Sequence, residues 1–235
     1  MSANSFSPHI GLYGRDQVNP KEKRGCYLWP PGYAAALEAA GGTPVELGLP
    51  KPGETWADRL SELHGILFLG HPASDSRQNA EEERLCHYCR SQHFPILAVD
   101  IGMLTLNVAF GGNNYVNLPK ELPNALQHRH PPEKGLRHTI MVEANTRLAG
   151  MYGEGEIVVN SEHYGAVAKV AKGFVVSGKA LDGVIEAIEW AEDDWFAVGV
   201  QWQPASSSAS GLDIQLFRGL VEAATEYSQR RAVAA

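Results

Sequence analysis

Three near-continuous apolar runs set the strongest constraint on this chain: Gly65-Ile-Leu-Phe-Leu-Gly70, Pro95-Ile-Leu-Ala-Val99 and Phe196-Ala-Val-Gly-Val-Gln-Trp202. A strand with one wet face alternates apolar and polar residues. These runs do not, which suits parallel strands covered by helices on both faces. Helical patterns fall between them. Pro31 to Gly42 is alanine-rich, with proline at its start and a Gly-Gly stop. Asn79 to Gln92 and Met103 to Gly112 have helical spacing, and Trp56 to Leu63 reads as a short helix. His9 to Gly14 and Thr43 to Leu49 read as further strands, and Gly211 to Arg231 as a long amphipathic helix.

The second half changes character. His138 to Glu143, Ile157 to Val159, Val167 to Val170, Phe174 to Ser177 and Val184 to Trp190 are short β-like pieces joined by turns. Leu118 to Glu133, rich in proline and histidine, is expected to be a long exposed loop. No repeat or linker divides the chain, so residues 1–235 are expected to form one α/β domain.

The charge balance, 20 basic against 27 acidic residues for a net −7, contains no basic block and argues against nucleic acid. No apolar run is long enough to span a bilayer. The first residues lack the pattern of an export signal. With three cysteines there is no disulfide framework, and a cytoplasmic location is the expectation. Cys86 and Cys89, with His87 between them and His93 nearby, lack a second ligand pair at finger-like spacing. With Leu85 they form one apolar helical stripe, so core packing is expected; no metal and no cofactor are implied.

In open α/β sheets ligands collect outside the carboxyl ends of the strands. Four such ends matter here: Gly14 onward, Gly70-His71, Asp100-Ile101-Gly102 and Gln203-Pro204. The strand–turn–helix at Asp100 is where many α/β hydrolytic enzymes expose a nucleophile. Asp is also favoured at a helix N-cap, where the dipole stabilises a carboxylate.

The chain resembles class I glutamine amidotransferase-like proteins, and within them the stand-alone γ-glutamyl hydrolases. The resemblance rests on Ala36 to Pro44, Leu63 to Pro72, Pro95 to Leu104, Val159-Asn-Ser-Glu-His-Tyr164, Leu181 to Glu189 and Gly199 to Pro204, six motifs in order. It implies a flavodoxin-like fold, a mostly parallel sheet flanked by helices with an additional antiparallel β portion. It also implies a cysteine nucleophile at the elbow, a histidine base, an acid two residues beyond, and backbone oxyanion donors. Here the nucleophile position is Asp100, the histidine position Gln203 and the acid position Ala205. The oxyanion donors would fall at Gly70 and Ile101.

Two readings follow. One is a catalytically inactive or non-canonical member that binds a small amino-acid-like or γ-glutamyl-like ligand or a protein partner. The other is a repurposed hydrolase or lyase in which Asp100 works with His71, Glu162 or His163. Whether the chain is an enzyme, and whether it forms a homodimer, stay open at this point. The resemblance places Ser161, Glu162, His163 and Tyr164 at the substrate pocket. Arg15 and Arg24 are candidate carboxylate-binding groups, because a guanidinium offers a fork of N–H donors. Cys26, beside Lys23 and Arg24, reads as an ordinary loop cysteine.

Overall fold

A computed structural model describes residues 6–14, 32–71, 76–129 and 136–234. The apolar runs form one side of an eleven-stranded sheet: β1 (His9–Gly14), β2 (Thr43–Leu47), β3 (Gly65–Gly70), β4 (Ile96–Val99) and β11 (Ala197–Val200). All of them pair in parallel, in the order β2-β1-β3-β4-β11. Their side chains alternate between two hydrophobic layers although the sequence does not alternate. Leu67, Leu69, Leu97, Val99, Val198 and Val200 face α1 (Tyr33–Ala39) and α7 (Ile214–Ala234). Ile66, Phe68, Ile96, Ala98 and Ala197 face α2 (Trp56–Arg59), α3 (Ser76–Ser91) and α4 (Ile101–Ala109). Burying both faces removes any need for polar residues in these strands.

Beyond β11 the sheet turns antiparallel through β10 (Ile185–Trp190), β9 (Phe174–Ala180), β6 (Arg137–Val142) and β7 (Gly155–Asn160). A side branch pairs β8 (Ala166–Lys169) with β10 and with β5 (Asn113–Tyr115). Asn107, buried on α4, fastens this branch. Its Nδ2 donates to the Asn113 and Lys169 carbonyls and the Asn114 side chain, and its Oδ1 accepts from the Ala171 N–H. The antiparallel part is thereby tied to the helix that follows Asp100.

The described part of the expected loop, residues 118–129, is mostly exposed and irregular, with two exceptions. It opens with α5 (Leu118–Glu121), capped by the Asn117 side chain, and it carries His128 into the interior at 3% exposure. A second unforeseen helix, α6 (Arg147–Tyr152), is capped locally by Thr146. It is also held by the buried Glu189 carboxylate, which accepts from the Arg147 and Leu148 N–H groups. That contact spans about forty residues of chain, so no local pattern announces it. No helix among the described residues is long and apolar enough to cross a membrane.

Candidate functional site

The carboxyl ends of β1, β3 and β4 are pressed together by glycines. A Cβ on Gly14 would lie 2.5 Å from the Gly70 nitrogen, and one on Gly102 would lie 2.0 Å from the Phe68 carbonyl oxygen. Only glycine lets α4 start this close to β3. Asp100 sits in that turn at φ 53° and ψ −112°, a conformation side chains rarely adopt, at a cost of order 1–3 kcal/mol. Gly70 and Ile101 are neighbours there, since a Cβ on Gly70 would come 2.9 Å from Ile101 Cγ2.

Asp100 precedes α4, yet its side chain does not cap the helix. The carboxylate turns toward β11 instead. Oδ1 accepts from Gln201 Nε2 at 2.9 Å, and Oδ2 accepts from Gln203 Nε2 at 2.8 Å. Gln203 Oε1 in turn accepts from the Tyr33 hydroxyl at 2.7 Å. Asp100 is the N-cap residue of α4 as expected, but the side-chain cap is missing, because the segment after β11 delivers two amides to the carboxylate from both sides of Trp202. Gln201 and Tyr33 were not foreseen as parts of this site. An amide neither takes up nor releases a proton near neutral pH, so neither glutamine serves Asp100 as a general acid or base.

The main chain at Gln203 is fixed separately. Its N–H donates to Asn160 Oδ1 and its carbonyl accepts from Asn160 Nδ2. Ala205, at the acid position, packs its carbonyl oxygen 2.2 Å from where a Cβ on Gly32 would be.

The other candidates are drawn elsewhere. His71 Nδ1 lies 2.6 Å from the buried Glu82 carboxylate, with its ring edge against Tyr13. Glu162 is exposed. Ser161 is buried, and its hydroxyl donates to the His128 carbonyl. Tyr164 is half-exposed and stacks under the Arg129 guanidinium. Arg15, Arg24 and Cys26 lie outside the described residues. Cys86 and Cys89 are fully buried, and burial pushes both thiols up, as core packing requires.

His163 belongs to a cluster that the sequence did not single out. His128, His138 and His163 surround Glu186, with ring nitrogens 3.1, 3.5 and 3.3 Å from Glu186 Oε1. All four side chains are at least nine-tenths buried. Burial works to raise the Glu186 pKa, but the surrounding histidines, His163 first, outweigh it and hold the carboxyl at about 2. Burial lowers the pKa of His138, whereas Glu186 and Asp182 overcome the same effect at His128 and raise it. His128, His163 and Tyr164 also line a cavity of about 560 Å³, walled by Leu118, Leu122 and Leu126. The available signals were modest: Asp182 and Glu186 in the Leu181 to Glu189 motif, and a histidine beginning a strand.

The Peptidase C26 family matches residues 8–205. A glutamine amidotransferase-like protein of Rickettsia prowazekii is 30% identical, the alignment covering 81% of this chain and 87% of that protein. A Mycobacterium tuberculosis protein named for a glutamine amidotransferase is 33% identical over 87% of this chain and 70% of its own length. Among solved structures, a Thermotoga maritima glutamine amidotransferase superposes with a TM-score of 0.61 at 12% identity, covering 97% of this chain and 86% of that one. A Thermoplasma acidophilum protein named for GMP synthase reaches 0.69 at 13% identity, over 97% of this chain and 98% of its own.

Proposed function

The chain belongs to the Peptidase C26 family of glutamine amidotransferase-like proteins, and from that premise we propose that it is a non-hydrolysing member that binds a small amino-acid-like ligand at the Asp100 elbow. The observation that carries this reading is the state of the Asp100 carboxylate. The cysteine route needs a thiolate, a base that takes and returns a proton, and an acid that orients the base. The corresponding positions hold a carboxylate, an amide and a methyl group. Both carboxylate oxygens of Asp100 accept amide N–H groups, which lowers their nucleophilicity and fills the space a base would occupy. The strained turn and the glycine-lined approach between β1, β3 and α4 suit a ligand whose polar group meets backbone N–H donors.

The test is release of ammonia or amine from L-glutamine and a panel of γ-glutamyl amides, with wild type and Asp100→Asn side by side. The expected result is buffer-level release from both proteins. The same compounds are expected to raise the unfolding temperature of the wild type, since saturation at about a hundred times Kd contributes about 2.7 kcal/mol. Turnover above background that disappears in Asp100→Asn would overturn the proposal and make Asp100 a working catalytic group.

A further inference from the structure

We propose that His128, His138, His163 and Glu186 form a binding site for one divalent first-row transition metal ion. The argument starts from the outward-facing ring nitrogens. His128 Nε2 lies 2.9 Å from the Asp182 carboxylate, His163 Nδ1 lies 2.8 Å from the Gly165 carbonyl, and His138 Nδ1 lies 3.3 Å from the Thr139 carbonyl. Carboxylates and carbonyls only accept, so each of these nitrogens carries the proton. A neutral imidazole then has its lone pair on the other nitrogen, and in all three rings that nitrogen faces Glu186. Metal-binding histidines share this arrangement: one ring N–H anchored on a carboxylate or carbonyl, the other nitrogen free to ligate.

The inner atoms give a second, independent observation. His138 Nε2, His163 Nε2 and both oxygens of Glu186 are buried without a hydrogen-bond partner among the described residues. The Ser161 hydroxyl donates to the His128 carbonyl, and its oxygen lies 3.5 Å from His128 Nδ1. With neutral rings, the lone pairs of His138, His163 and Glu186 converge in a dry interior, which is costly unless something positive lies between them.

Distances and donor type identify that occupant. A tetrahedral ion with bonds of about 2.0–2.2 Å to nitrogen and oxygen spaces its ligands about 3.4 Å apart. The contacts to Glu186 Oε1 are 3.1, 3.3 and 3.5 Å. The four donor atoms lie within 4.8 Å of one another, so binding draws the widest pair in by up to roughly 1.4 Å. Three imidazoles and one carboxylate suit zinc, iron, nickel or copper rather than calcium or magnesium, which prefer oxygen. The 560 Å³ cavity is lined by two of the histidines, His128 and His163.

The four ligands include none of the side chains that hold Asp100, and the test does not depend on amide turnover. Protein stripped with a chelator is titrated with zinc(II) against a chromophoric competitor, and a parallel sample is loaded with cobalt(II). The expected result is one equivalent of zinc per chain and visible cobalt d–d bands. Glu186→Gln and His163→Ala are expected to weaken zinc binding at least ~100-fold. Asp182→Asn, which leaves all four ligands in place but loosens His128, is expected to cost about 10–100-fold. Because Glu186 variants can lose stability for other reasons, His138→Gln, at the least enclosed ring, is the companion variant and is also expected to lose the cobalt bands. Failure of the wild type to bind an equivalent, or equal affinity in every variant, would overturn the proposal and leave the cluster held together by protons alone.

Discussion

Asp100 and Glu186 are both buried carboxylates, and Gln201 touches the surroundings of each: its side chain donates to Asp100, and its backbone N–H donates to the Glu186 carbonyl. The solutions around them differ. Asp100 meets neutral amides that point their N–H groups at it, so its lone pairs are used and its charge is solvated by dipoles. Glu186 Oε1 meets three ring nitrogens at 3.1, 3.5 and 3.3 Å. A carboxylate wrapped in amides is finished as a structure. One ringed by imidazoles still has bonding capacity, open to a ring proton or to a metal ion.

Substitutions sharpen this contrast by size. The largest effect is expected from Glu186→Ala, which removes the carboxylate shared by three buried histidines. A loss of about 3–5 kcal/mol in urea-unfolding stability is expected, the scale of breaking a buried charge pair from one side. A neutral or stabilising result would mean that nothing positive occupies the cluster. Asp100→Asn comes next. It keeps the shape but turns one acceptor into a donor facing a glutamine N–H, leaving a buried donor unpaired at about 1–3 kcal/mol in the same measurement. If Asp100→Asn costs more than Glu186→Ala, the comparison is inverted. Thr146→Ala, which removes the α6 cap at a distance from both carboxylates, sets the lower mark at about 1 kcal/mol.

The parallel half was legible in the sequence because its rule is local. A strand buried on both faces must be apolar at every position, and β3, β4 and β11 advertise this residue by residue. The elbow was legible for a related reason, since strand, turn and helix follow one another directly around Asp100. What surrounds Asp100 was not. Gln201, Gln203 and Tyr33 reach it from other elements, and no spacing reveals which side chain a carboxylate will choose. The histidine cluster was hidden further, because it assembles residues from a loop, from β6 and β10, and from the segment after β7. His128 is the clearest case: a proline- and histidine-rich stretch reads as solvated, and only its return to Asp182 shows that it is interior.

The paired bonds between Asn160 and the main chain of Gln203 carry a consequence for how such a fold can change. Asn160 imitates a neighbouring strand, giving one donor and one acceptor to residue 203 whatever side chain that residue bears. The position therefore works as a socket whose address is set by a different residue. A lineage can exchange the side chain plugged into it, base for amide or amide for base, and keep the surrounding scaffold. An engineer who wishes to rewrite the chemistry of this pocket has position 203 to vary and Asn160 to leave alone.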